Sequence, residues 1–76
     1  MSLSEQELES IADLYPEVCY RSNPRWMVLN RPKTMVYFNP KWMLEYYPEV
    51  MVRYRPEVMV KFRRKWVEQN KPELLK

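Results

Sequence analysis

The chain has 76 residues, a net charge of +3, seven prolines, and neither histidine nor glycine. A chain this short makes one small domain with a thin core, and no apolar run approaches the roughly 18 residues of a membrane span. Without His the commonest general base and metal ligand is missing. Without Gly there is no phosphate-cradling loop, nucleophile elbow or dinucleotide fingerprint.

The charge is unevenly spread. Residues 1–20 hold five carboxylates and no Lys or Arg, a net −5, while residues 21–76 hold all thirteen Lys and Arg against five Glu, a net +8. A basic body behind an acidic head points to nucleic acid or an acidic protein surface as partner, unless the cations only solvate the exterior. A single cysteine forms no internal disulfide. With no secretory-type segment at the N-terminus, the expected setting is reducing and cytoplasmic.

Residues 1–15 read as an N-terminal capping element, with a helix over 2–15. Ser4 and Glu7 stand at capping-box spacing, and acids fill the first turn. Leu8, Ile11, Ala12 and Tyr15 make one apolar stripe, and Pro16 is expected to end the helix.

From Pro16 an eight-residue repeat takes over. Cys19, Met27, Met35, Met43, Met51 and Met59 are spaced by eight, and Val67 and Leu75 continue the register. Three residues ahead run Pro16, Pro24, Pro32, Pro40, Pro48, Pro56, then Arg64 in place of proline, then Pro72. One continuous helix is excluded. Eight residues overshoot two turns by about 80°, and each internal proline costs about 3 kcal/mol. The favoured fold is mainly α, a solenoid of about seven short helices, each started by a proline at its first position and some capped by Asn23 or Asn39. The alternative is an octapeptide β-solenoid, in which Val50, Val52 and Tyr54 share one face. The repeats span residues 16–63, and residues 64–76 are degenerate C-terminal repeats closing a single domain, 1–76.

In the helical reading, the residues two, three and six after each proline face inward, as in Trp26, Met27 and Asn30 or Trp42, Met43 and Tyr46. The expected core is Leu8, Ile11, Tyr15, Trp26, Met27, Met35, Trp42, Met43, Met51, Met59 and Trp66.

Three constellations bear on chemistry. The sulfur column contains soft ligands suited to Cu(I), but Val67 and Leu75 share its register and no His accompanies it. Adaptable core packing is the simpler account, so no cofactor or metal is assigned. Glu49 and Glu57 occupy equivalent repeat positions, yet acids beside a helix-starting proline already have a reason to be there. Cys19 has no His partner, so the expectation is a non-enzymatic protein with no small-molecule substrate. The basic columns carry the stronger signal. Arg31, Arg55 and Arg63 precede proline positions, Arg25, Lys33, Lys41 and Lys65 follow them, and Arg53, Lys61 and Arg64 complete the set. Tyr37, Tyr46, Tyr47 and Tyr54 lie among them. Positive stripes with interleaved aromatics follow a phosphate backbone and stack bases.

The expected function is therefore a macromolecular binding module whose partner-binding residues are Arg25, Arg31, Lys33, Lys41, Arg53, Arg55, Lys61, Arg63, Arg64 and Lys65. The partner is nucleic acid or an acidic protein surface, with no membrane. The alternatives are a small inhibitor or adaptor docking on one protein, and a structural protein that self-associates through its end repeats.

Overall fold

A computed structural model describes residues 3–76. Among them are eight α-helices of seven residues each: α1 (Glu5–Ile11), α2 (Pro16–Ser22), α3 (Pro24–Asn30), α4 (Pro32–Phe38), α5 (Pro40–Tyr46), α6 (Pro48–Tyr54), α7 (Pro56–Phe62) and α8 (Arg64–Asn70). A 3-10 helix, Pro72–Leu75, follows. The β-solenoid is overturned, because no strand occurs among the described residues. The chain divides into two compact units, one ending at Phe38 and one beginning at Asn39.

From Pro16 onward, helix and connection together take eight residues, so a single residue links each helix to the next. Tyr15, Asn23, Arg31, Asn39, Tyr47, Arg55, Arg63 and Lys71 all have φ between −154° and −130° and ψ between 48° and 85°. A residue before proline is driven from the α region, usually to a more extended ψ than this. The lower ψ follows from a double duty. Asn23 donates its N–H to the Cys19 carbonyl at 2.8 Å, closing α2, and its own carbonyl accepts from Met27 N–H at 3.2 Å, opening α3. Arg63 takes the same conformation although Arg64, not proline, follows it. Among the described residues no φ is positive, so the chain turns at every octad without needing glycine.

The column residue of an octad ties the two junctions together. Met51 donates its N–H to Tyr47 O at 3.0 Å and accepts from Arg55 N–H at 2.7 Å, and Met27, Met43, Met59 and Val67 repeat the pattern. Its side chain is the core. Cys19, all five of Met27, Met35, Met43, Met51 and Met59, and Val67 are 0% exposed. Each such burial contributes about 1.5–3 kcal/mol. Leu75, in the 3-10 helix, is only half-buried.

The second buried position differs from the expected one. Val28, Val36 and Val52, four after the proline, are buried, and Leu44 and Val60 are half-buried. The residues six after the proline turn outward: Asn30, Phe38, Tyr46, Tyr54 and Phe62 are all exposed. Each is the last residue of its helix, so no further turn continues the buried stripe beyond it. Asn30 reaches back to donate to the Trp26 carbonyl at 2.9 Å, and Asn70 does the same to Trp66 O.

At the N-terminus Ser4 Oγ accepts from Glu7 N–H at 3.2 Å and Glu7 Oε1 accepts from Ser4 N–H at 2.9 Å, the expected capping box. The predicted start at residue 2 lies outside the described residues. The helix ends at Ile11 rather than at Pro16, because Leu14 and Tyr15 N–H both turn back to the Ile11 carbonyl. That turn carries Tyr15 out to 59% exposure, removing it from the core, and leaves Ile11 half-buried. Trp42 and Trp66 are half-buried as well, whereas Trp26 is buried. Leu8 joins the column from an eleven-residue offset: it is 0% exposed, and its carbonyl accepts from both Ala12 N–H at 2.8 Å and Cys19 Sγ–H at 3.5 Å.

Candidate nucleic-acid interface

The ten candidate cations divide by position in the octad. Those at junctions are drawn into the framework. Arg31 Nε donates to Asp13 Oδ1 at 3.0 Å and its guanidinium lies 5.8 Å from the Trp26 ring centroid, with Glu9 3.8 Å from Nη2. Arg55 Nε lies 3.8 Å from Glu57 Oε1. Arg63 Nη1 donates to the Leu44 carbonyl at 2.6 Å, a short charge-assisted bond that satisfies a last-turn carbonyl of α5. All three are half-buried. The remaining seven, Arg25, Lys33, Lys41, Arg53, Lys61, Arg64 and Lys65, are exposed.

In the unit from Asn39 onward, the α7–α8 junction brings four of the candidates together. Lys61, Phe62, Arg63, Arg64, Lys65, Trp66 and Gln69 line one groove of about 490 Å³, with no carboxylate among them. Arg63, pinned by Leu44, fixes the backbone between the two helices. Phe62, the outward-turned last residue of α7, is 62% exposed, and Lys61 Nζ lies 5.3 Å from its ring centroid. Trp66, two residues into α8 from Arg64, is half-buried and presents part of its surface to the same groove.

The charge pattern here runs against helix stability. Acidic groups are favoured at a helix start, and α2, α6 and α7 have Glu17, Glu49 and Glu57 there. The first turn of α8 instead opens on two successive cations, Arg64 and Lys65, at a cost of a few tenths to about 1 kcal/mol. Single basic residues occupy the equivalent turn of α3, α4 and α5: Arg25, Lys33 and Lys41.

Arg53 falls elsewhere. It shares a cleft of about 530 Å³ with Lys71, Glu49, Glu73 and the apolar Val52 and Leu74, so opposite charges offset each other there. Of the tyrosines, Tyr37, Tyr46 and Tyr54 face solvent, while Tyr47 is half-buried with its ring 5.2 Å from Trp42. Tyr46 also touches Trp42, at 5.8 Å.

Three residues of the groove escape sequence reading. Phe62 sits at the octad position expected to face inward, Trp66 is expected in the core, and Gln69 carries no charge. The Arg-Arg-Lys run beside Phe62 is the signal that marks the place. Cys19 is sealed beneath α1, and its burial pushes the thiol pKa up, with Arg31 opposing and Asp13 adding to that shift. Among the described residues no group of three or more His, Cys, Asp and Glu is arranged to hold a metal ion, and no helix is long and apolar enough to cross a membrane. The groove can attract anions and offer aromatic surface, and its lining pairs no nucleophile with a base. Compared with known proteins, the chain matches no family model, and no curated protein or solved structure matches it either.

Proposed function

We propose that the protein is a non-enzymatic binding module that holds nucleic acid against the basic groove between α7 and α8. The observation that carries this reading is the convergence of Lys61, Arg63, Arg64 and Lys65 around exposed aromatic surface with no carboxylate lining the groove. Clustered cations release counterions from a phosphate backbone, and aromatic faces add contacts that tolerate any sequence. The unit carrying the groove holds nine Lys and Arg against five Glu, so the field around it is positive.

The test is a fluorescence-anisotropy titration with labelled oligonucleotides at several salt concentrations. Engagement of about four phosphates gives a log–log salt slope of roughly −2.8 for a single strand and roughly −3.6 for duplex DNA. Lys61→Glu combined with Lys65→Glu, both at exposed positions, should abolish binding and shift stability by no more than about 0.5 kcal/mol. Absence of binding at low salt, or unchanged binding by the double variant, overturns the reading. Selective capture of an acidic protein by the same groove, with no oligonucleotide bound, would move the assignment to the adaptor class.

A further inference from the structure

We infer that the groove takes an unpaired strand, with Phe62 as a platform on which one base stacks; this rests on the proposed nucleic-acid function. The starting point is the register. The last residue of each helix from α3 to α8 turns outward; at the equivalent positions of α5 and α6 the chain uses tyrosine, whose hydroxyl suits solvent, and in α4 Phe38 has the Tyr20 ring against it at 5.8 Å. Tyr46 is in addition occupied by the Trp42 ring at 5.8 Å. In α7 the position holds phenylalanine, which has no polar atom to hydrate, yet it is 62% exposed. Its ring contact among the described residues is the Lys61 ammonium at 5.3 Å.

The surroundings supply what a single nucleotide needs. Arg63, Arg64 and Lys65 follow Phe62 directly in the chain and line the same groove, so phosphates on either side of a stacked base meet cations. Gln69, one turn beyond Lys65, offers an amide to a base edge and cannot repel the phosphates. The groove is open to solvent and its volume of about 490 Å³ leaves room for a nucleotide to lie along it. The backbone beneath the platform is held: the junction that follows Phe62 is tied by Arg63 to Leu44 O and by Arg63 N–H to Met59 O at 2.7 Å. On a held backbone, stacking a base orders only the two side-chain torsions of the ring. Bases inside a duplex are already stacked on their neighbours. Only an unpaired base presents a face to an aromatic side chain.

The experiment compares four labelled or competing probes on the full chain: oligodeoxythymidine, an abasic oligomer of equal length, duplex DNA and inorganic polyphosphate. Oligodeoxythymidine should bind roughly 5- to 150-fold more tightly than the abasic strand, the span set by one stacked base. Phe62→Ala should erase that difference and leave polyphosphate binding unchanged. Phe62→Trp should retain it. Thermal melts of both variants should match the parent, since the ring is exposed. Equal binding of the abasic and intact strands, preference for duplex at fixed salt, or an unaltered preference in Phe62→Ala would each overturn the inference while the backbone-binding function stands. Failure to bind every probe, polyphosphate included, would overturn both.

Discussion

Truncating Met51 to alanine tests the architecture at its centre. Met51 is 0% exposed in the middle of α6, and α5 and α7 pack on either side of that helix. Removing a fully buried methionine side chain forfeits its transfer energy and leaves a cavity, together about 2–5 kcal/mol. A chain of this length is stable by about 4–11 kcal/mol in total, so one truncation removes a large part of it. At about 4–8 °C per kcal/mol, the melting temperature should fall by about 8–40 °C. Two controls bracket the effect. Met51→Leu conserves volume and should cost less than about 1.5 kcal/mol. Arg53→Ala, two residues on and exposed, should change stability by no more than about 0.5 kcal/mol. Thermal and urea unfolding followed by far-ultraviolet circular dichroism reads all three. A loss of under about 1 kcal/mol for Met51→Ala, no more than an average point substitution costs, would refute the assignment of the column as core.

Three further outcomes are expected. Arg63→Ala leaves the Leu44 carbonyl without its cation and should cost about 1–3 kcal/mol in urea unfolding, so Arg63 is unsuitable as a binding-only variant. Arg64→Pro should raise stability by about 0.4–1 kcal/mol in the same assay. The junction before it already has the shared conformation, Arg64 is the first helical residue, and proline there restricts only the unfolded chain. Glu7 should give α1 a pH dependence. The Ser4 backbone N–H, and after it the Ser4 hydroxyl, hold the Glu7 carboxyl below its ordinary 4.5. A lowered folded-state value means the stabilisation is present above 4.5 and lost as pH falls through the folded value. Amide exchange across α1 should therefore accelerate in acid, and Glu7→Gln, which keeps an accepting oxygen, should flatten that dependence.

Much of the fold is legible in the repeat itself. Prolines at helix starts, Asn23 and Asn39 as caps, and a buried sulfur column all follow from spacing and local chemistry, and Asn23 Oδ1 does accept from Trp26 N–H at 3.0 Å. The period fixes the phase of each helix but not which flank of the column is covered. That depends on the angle between successive helices, which the junction ψ sets and which no single octad encodes. Hence Val28, Val36 and Val52 are buried where Asn30 and Tyr46 were expected. Leu8 was assigned to the core from the α1 stripe, but its place in the column was hidden by the turn at residues 12–14, which breaks the eight-residue spacing. For the groove, the cations were readable and their sorting was not. Arg31 and Arg63 differ from Arg64 and Lys65 through partners eighteen or nineteen residues away, Asp13 and Leu44. Such pairings are invisible to a pattern of period eight.

The shared junction conformation also bears on how such a chain changes length. The octads of α6 and α7, Pro48–Arg55 and Pro56–Arg63, are identical except at Arg53/Lys61 and Tyr54/Phe62. Because the junctions share nearly the same dihedrals, and Met51 and Met59 each bond to the junctions on either side, an octad begins and ends in interchangeable geometry. A duplication or loss of one whole octad therefore splices onto its neighbours without a new kind of joint, adding or removing one buried methionine and one outward aromatic. A shift of one or two residues destroys that match and throws the column out of register downstream. Lengths differing by eight are thus the low-energy variants of this sequence. Copying followed by substitution at the two outward positions is a physically open route from a plain repeat to one that carries a specialised surface.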